Sequence, residues 1–410
     1  MKSERLRALS VSSTPSASSE VAALGSTRLD HWALGRIQQA VAPAPLRFEL
    51  WDGYAIGPDH TPIATLTVKN RAALYKWLWN PDLNFGEGYM SGAVEVRGDL
   101  VEMLVAVYRA MGDSAPRPWW MPEPGNSVHA SRENVHHHYD IGNEFYRLWL
   151  DERMLYTCAY FPTPDATLED AQIAKMALIS RKLRLKPGER VVEAGCGWGS
   201  LALFMAREHG VHVTAFNISR EQIAYAREQA RVQGLTDRVD FIEDDYRNVR
   251  GQCDAFVSVG MLEHVGLPDY ATLGSVMDRV LTEDGRGLLH FIGRNRPAPL
   301  NPWITKRIFP GAYPPTLVEV FERILQPSGF SVLDVENIRL HYAKTLEHWR
   351  ARFLSATDRV TEMFDEAFVR AWDLYLAGSE VAFVTGSMQL FQVVFARAGT
   401  NAIPWTRTSA

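Results

Sequence analysis

The sequence predicts an α/β domain built on a parallel sheet, preceded by a smaller α+β domain. Three observations carry this. From about residue 188 onward, strand-length apolar runs alternate with helical stretches of roughly 10–15 residues, the pattern of βαβ units. One of those strands runs straight into a glycine-rich turn, VVEAGCGWGS, Val191 to Ser200. And residues 31–112 show a mixed strand and helix pattern, cut off by the proline-dense stretch DSAPRPWWMPEPGNS.

Composition narrows the function classes. The chain has 410 residues, enough for two or three domains. It is 46% hydrophobic and 22% charged, which is ordinary for a globular protein and ample for a core. Its formal net charge is −5, whereas nucleic-acid binders usually carry a basic excess, so no nucleic-acid partner is expected. Mean hydropathy is −0.16, and no window approaches the roughly 18 apolar residues of a membrane span. An enzyme working at a membrane surface remains compatible with these figures. Cys158, Cys196 and Cys253 lie far apart, with no CxxC spacing. Neither a structural zinc site nor a disulfide framework is expected, and a reducing cytoplasm fits.

The elements follow in order. Residues 1–28 are rich in Ser and Ala, lack the apolar stretch of a secretory signal, and read as a disordered tail. Residues 29–112 form the smaller domain. LRFELWDG and TPIATLTV read as strands, and NRAALYKWLWN and DLVEMLVAVYRAMG as helices. NFGEGYMSGAVEV, with its three glycines, reads as turn-rich. Residues 113–130 read as a linker. The domain 131–410 opens with a helix over Leu168–Leu185, stopped by Lys186-Pro187-Gly188. Strands RVVEA, VHVTAFN, VDFIED, CDAFVSVG and RGLLHFIG then alternate with helices. FSVLDVENIRL and MQLFQVVFAR read as later strands, separated by a helical insert at about 344–380.

The glycine turn has the spacing G-x-G-x-G at Gly195, Gly197 and Gly199, with Glu193 two residues ahead. A dinucleotide fingerprint would read G-x-G-x-x-G. This pattern resembles motif I of class I S-adenosylmethionine (SAM) methyltransferases. The resemblance implies a Rossmann-like seven-stranded sheet and SAM as cofactor, with the loop beneath its amino-acid part. Such enzymes place an acid after the second strand for the ribose hydroxyls. Here Asn217-Ile218-Ser219 stands there instead, and Gln222 is positioned to supply the missing polar contact. After the third strand, Asp245 and Tyr246 are expected at the adenine.

Three further segments sharpen the resemblance: HHYDIGNEFYRLWLDERMLYTCAYF, VSVGMLEHVG and LLHFIG. With HYAKTLEHW, they resemble cyclopropane fatty acid synthases, from about residue 134 to the C-terminus. GEGYMSGAVEVRGDL looks like the extra N-terminal domain of the phospholipid-acting branch. The resemblance implies transfer of a SAM methyl carbon to a cis double bond of a phospholipid acyl chain, with bound bicarbonate as the base. Cys158 and Ile292 would offer backbone N–H groups to that anion. His290 and Tyr342 would hydrogen-bond it, and Glu263 would hold its hydroxyl. Tyr156-Thr157 resembles the family's SAM-covering Tyr-Ser pair. Ser379 stands where phospholipid-acting members often carry a cysteine. Same-fold alternatives are a methyl-branched or methylene product, an amine acceptor, or a non-catalytic SAM- and lipid-binding protein.

Expected partners are membrane phospholipids with unsaturated acyl chains, and a second copy of the chain in a homodimer. The expected location is cytoplasmic and peripherally membrane-associated. Residues 293–315 read as an interfacial lid, with Arg294, Arg296, Lys306 and Arg307 among Trp303, Ile304, Ile308 and Phe309. Trp119, Trp120 and Met121 of the linker are further interfacial candidates. His136, His137 and His138 are adjacent, a poor arrangement for one ion, and no metal is expected.

Overall fold

The computed structural model describes residues 25–58, 60–112 and 141–406. The expected tail up to residue 24, the linker with Trp119–Met121, and His136–His138 lie outside the described residues.

Along the chain, the elements begin with α1 (Arg28–Ala40), β1 (Leu46–Leu50), β2 (Ala55–Ile56), β3 (Ala64–Val68), α2 (Arg71–Trp79), α3 (Pro81–Met90), β4 (Val94–Gly98) and α4 (Leu100–Met111). They continue with α5 (Asn143–Arg147), α6 (Leu168–Lys182), β5 (Arg190–Ala194), α7 (Ser200–His209), β6 (His212–Asn217), α8 (Arg220–Val232), β7 (Val239–Glu243) and β8 (Cys253–Val259). The rest are α9 (Tyr270–Val280), β9 (Leu281–Gly293), α10 (Pro302–Arg307), α11 (Leu317–Val320), β10 (Phe330–Asn337), α12 (Arg339–Ser355), α13 (Thr357–Met363), α14 (Glu366–Thr385) and β11 (Gln389–Arg397).

Contacts divide the chain into two units. The first holds a four-stranded sheet in the order β2-β1-β3-β4. Leu46, Phe48 and Leu50 of β1 point to one side and are buried, the period of two that a half-covered strand requires. Residues 301–310 and 346–387 also group with this unit, although the sequence places them in the 131–410 domain as lid and insert.

One segment departs from the sequence reading. NFGEGY, expected to be turn, is helical in α3. Asn80 caps it, accepting the Leu83 N–H at 3.2 Å, and Pro81 takes the first position, where its missing N–H costs nothing. Gly86 and Gly88 serve close packing. A Cβ at Gly86 would lie 2.5 Å from the Trp303 ring, and one at Gly88 would lie 2.7 Å from Val94 Cγ2.

The second unit holds a seven-stranded sheet in the order β10-β11-β9-β8-β5-β6-β7. β5 to β9 run parallel to one another, and β11 is antiparallel to both β9 and β10. The α/β expectation is therefore met. One apolar cluster, with Leu201, Ile223 and Val257, lies on one side of the sheet. A second, with Phe256, Leu273 and Ile324, lies on the other. Burial on both sides explains why these strands read as continuous apolar runs. From β5 the order runs to β6 on one side and β8 on the other. Such a switch opens a crevice at the strands' carboxyl ends. Among the described residues, no helix is long and apolar enough to cross a membrane.

Candidate active site

The glycine turn leaves the carboxyl end of β5, at that crevice. Gly195, Gly197 and Gly199 all have positive φ, of 84°, 54° and 86°. L-residues adopt this region at a cost. The turn is tied to β6 through the Gly195 and Cys196 N–H groups, which donate to Phe216 O at 2.9 and 3.0 Å. Glu193 is 2% exposed. Burial pushes its carboxyl up to about 8, against the pull of Lys175. Its Oε2 has no hydrogen-bond partner. A buried carboxyl oxygen without a partner, two residues ahead of a glycine cradle, fits a ligand carrying an amino group.

Asn217 ends β6. Its Nδ2 donates to Gly197 O at 3.2 Å and to Gln222 Oε1 at 2.7 Å. The two side chains that replace the usual acid are thus bonded to each other and to the glycine turn. Ser219 caps α8, its Oγ accepting the Gln222 N–H at 3.4 Å, with Ile218 half-buried between. After β7, Asp245 is 2% exposed, accepts the Arg247 N–H and pairs with its guanidinium, both at 2.9 Å. Arg247 also lies 4.8 Å from the Tyr246 ring centroid. Asp245 and Tyr246 therefore share a clamp with Arg247, whose signal in the sequence was only its place after DDY.

The candidate catalytic residues come from three strand and loop ends and one helix. Glu263 sits in a short turn after β8, 5% exposed. Its Oε1 accepts the Ile292 N–H at 2.5 Å, and its Oε2 has no hydrogen-bond partner. Burial pushes this carboxyl up to about 7. His290, 2% exposed, stands on β9 and accepts the Gly260 N–H with its carbonyl at 2.8 Å. Burial lowers its imidazole to about 3, so it is neutral. Its Nδ1 lies 3.1 Å from Gln392 Nε2. With an amide N–H facing Nδ1, the ring proton sits on Nε2.

The 156–161 segment packs against the loop after β8, where a Cβ at Gly260 would lie 3.1 Å from Thr157 Cγ2. The Ala159 N–H donates to Thr345 Oγ1 at 3.0 Å, and the Phe161 N–H to His341 Nδ1 at 3.0 Å. These two bonds tie the segment to His341 and Thr345, one turn apart on α12, the helix that also carries Tyr342. Cys158 is fully buried, and burial pushes its thiol up, so the thiolate needed by a nucleophile is disfavoured. Tyr156 packs among Tyr146 and Trp149, with ring centroids 5.4 and 5.2 Å away. Sequence reasoning missed Lys175, Thr345 and Gln392. The available signal for Lys175 was a cation on the apolar stripe of α6, between Gln172 and Ile179.

The lid residues take different places. Arg294 is buried, and its N–H bonds Pro315 O at 2.9 Å. Arg307 is held by Glu87 through two bonds of 2.9 and 2.6 Å, and Lys306 by the same carboxylate at 3.1 Å. Trp303 and Ile308 are buried. Among the four cations read as lipid-facing, Arg296 is exposed with no ion pair to an acid among the described residues.

A mostly parallel seven-stranded sheet, with a glycine turn and its acid at the carboxyl end of β5, where the strand order reverses, defines a class I SAM-dependent methyltransferase. The model of one family, mycolic acid cyclopropane synthetase, matches residues 126–393, and the chain belongs to that family. Residues 36–115 match a domain of unknown function. The chain is 36% identical over 366 residues to a cyclopropane-fatty-acyl-phospholipid synthase of Escherichia coli, covering 87% of this chain and 94% of the relative. It is also 36% identical over 378 residues to a probable fatty acid methyltransferase of Pseudomonas putida, covering 88% and 95%. Among solved structures, it resembles a mycolic acid cyclopropane synthase complexed with SAH and CTAB. The TM-score is 0.61 at 30% identity, covering 64% of this chain and 97% of that one.

Proposed function

We propose that this SAM-dependent lipid-modifying enzyme cyclopropanates a cis double bond in a phospholipid acyl chain. The observation that carries the reading is the buried Glu263 carboxyl, one oxygen bonded to the Ile292 N–H and the other without a partner, on the loop after β8 whose Met261 packs against Gly195 of the glycine turn. When bound, SAM supplies the methyl carbon that the alkene π pair attacks as the C–S pair leaves on sulfur, and loss of a proton from that carbon closes the ring. The glycine turn, Glu193 and the Asn217–Gln222 pair would hold SAM, with Tyr156-Thr157 across it. His290 is neutral and adds no positive charge beside the cation that forms on the lipid. Cys158 keeps its proton and contributes through its main chain.

The leaving proton needs an acceptor, and bicarbonate suits the residues present. His290 would donate Nε2–H to it. Glu263 Oε2, unpaired, would take its hydroxyl, and Tyr342 would hydrogen-bond a remaining oxygen. The Ile292 N–H already serves Glu263 Oε1 and would be shared between the two acceptors.

A second reading keeps every step but the last. Loss of a proton from a chain carbon beside the cation gives a methyl-branched alkene, and a 1,2-hydride shift that moves the cation to the methylated carbon, followed by loss of a methyl proton, gives a methylene chain. The name of the Pseudomonas relative, probable fatty acid methyltransferase, specifies methyl transfer to a fatty acid and no ring. Mass spectrometry of phospholipids from a host expressing the chain, before and after ozonolysis of remaining double bonds, tests both. Cyclopropanation adds one CH₂ and removes the alkene, whereas the methylene product retains one. Unchanged lipids with a methylated amine would overturn the proposal.

A further inference from the structure

Lys175 is a buried cation that the chemistry above does not use. It lies on α6 and is 1% exposed. Lysine ammonium groups are almost never fully buried unless paired. Its Nζ donates to Thr157 Oγ1 at 2.8 Å. Gln172, one turn earlier on the same helix, donates to Thr157 O at 2.9 Å and to Leu155 O at 3.3 Å. One face of α6 therefore grips the 155–157 segment at three points, on the side chain and the main chain. The acids around the ammonium are Asp151 and Glu193, with the Cys158 thiol also near. Asp151 is itself spent on the Leu155 and Arg153 N–H groups, at 2.8 and 3.2 Å. Glu193 Oε2 is unpaired.

We propose that Lys175 is a positioning residue for SAM. It acts through Thr157, fixing the segment that the reading places over the cofactor, and its charge acts on Glu193, two residues ahead of the glycine turn. The ammonium thus links Thr157 with the acid of the glycine turn. Burial lowers it to about 8, against the pull of Asp151, Cys158 and Glu193. The proposal rests on the methyltransferase assignment and does not depend on which lipid product forms.

The test is SAM affinity by titration calorimetry on the full-length protein, alongside KM for SAM and kcat. Lys175→Met keeps the length and removes the donor and the charge. It should weaken SAM binding about tenfold or more and raise KM for SAM in parallel, with kcat at saturating SAM changing less than threefold. Thr157→Val, a near-isosteric change that keeps the fold testable on its own, should weaken SAM binding similarly. Thr157→Ser should restore it. Lys175→Met added to Thr157→Val should cost much less than it does alone. SAM affinity within twofold of the parent in either Thr157→Val or Lys175→Met, or full additivity of the two, overturns the proposal. A wrong lipid product with these SAM effects intact would overturn the cyclopropanation reading and leave this one standing.

Discussion

The Glu263 carboxylate accepts the Ile292 backbone N–H at 2.5 Å with one oxygen and leaves the other buried without a partner. One oxygen fixes the loop after β8 to β9. The second is available for chemistry. Glu263→Gln separates the two roles, because the amide oxygen still accepts the N–H but the group no longer exchanges a proton. Turnover should fall by about 10²-fold or more, the usual scale for a lost acid–base group. SAM affinity should stay within twofold. Comparing kcat with calorimetric SAM binding checks this, and unchanged kcat would remove Glu263 from the chemistry.

Buried acids set the pH dependence of stability. Burial pushes Glu193, Glu263 and Glu380 up to about 8, 7 and 7 from an ordinary 4.5. Folded protein then keeps protons that the unfolded chain has lost, so each group subtracts stability as pH rises from about 4.5 toward those values. His264 and His290 are lowered by burial to about 4 and 3, and act in the opposite sense, but that gain is complete above pH 6.5. Lys175 acts in its favourable sense only above about 8. Between pH 6.5 and 8 the glutamates decide, and the melting temperature should fall. Glu380→Gln should raise it more at pH 8 than at pH 5. Scanning calorimetry across that range checks both, and a flat profile would contradict the burial argument.

The glycine turn separates strain from crowding. A Cβ at Gly199 would lie 2.6 Å from the Phe241 ring and 2.7 Å from Ala226 Cβ, at φ of 86°. At Gly197, φ is 54° and nothing lies within 4 Å of a Cβ. Gly199→Ala should therefore cost about 2–4 kcal/mol from strain and overpacking together. Gly197→Ala should cost about 1–2 kcal/mol from backbone conformation alone. Denaturant melts of the two variants check the order, and equal costs would contradict it.

Glu87 anchors two cations of the 301–310 segment. The carboxylate and Arg307 are 23% and 16% exposed at their side chains, too shielded for water to replace the pair fully. Glu87→Gln should destabilise by about 1–3 kcal/mol, the scale of hydrogen bonds to charged groups. Arg296→Glu should leave stability within about 0.5 kcal/mol, since the residue is exposed. It should reduce binding to anionic vesicles if the surface near it meets lipid. Thermal melts and vesicle co-sedimentation read the two effects separately.

What could be read from the sequence was what is local. The βα alternation and the glycine turn are contiguous, and both appear where expected. Asn217 and Gln222 are five residues apart, and their pairing was within reach of sequence reasoning. The role of Gly86 was not, because its reason is the Trp303 ring, far along the chain. Arg307 read as a cation of an interfacial lid because its acid, Glu87, is 220 positions away. Thr345 and Gln392 were missed for the same reason: a polar residue inside an apolar strand or helix carries no signal until its partner is known.

Gln392 gives the most direct test of the His290 proton. It sits on β11 directly opposite His290 on β9, and both side chains are buried. Its Nε2 faces Nδ1 at 3.1 Å, so the imidazole proton is held on Nε2, where it can be donated. Gln392→Glu is nearly isosteric but reverses the demand. A carboxylate accepts, so Nδ1 must carry the proton, and Nε2 turns from donor to acceptor. An anion facing Nε2 would then meet a lone pair, and a carboxylate nearby would also raise the imidazole from its depressed value. Turnover should fall roughly 10²-fold with SAM affinity unchanged. Gln392→Leu, which leaves Nδ1 free to keep either tautomer, should lose less. Nitrogen-15 shifts of the imidazole report the tautomer independently of turnover. If Gln392→Glu moves the proton to Nδ1 and kcat stays within twofold, His290 does not act as a donor in the reaction.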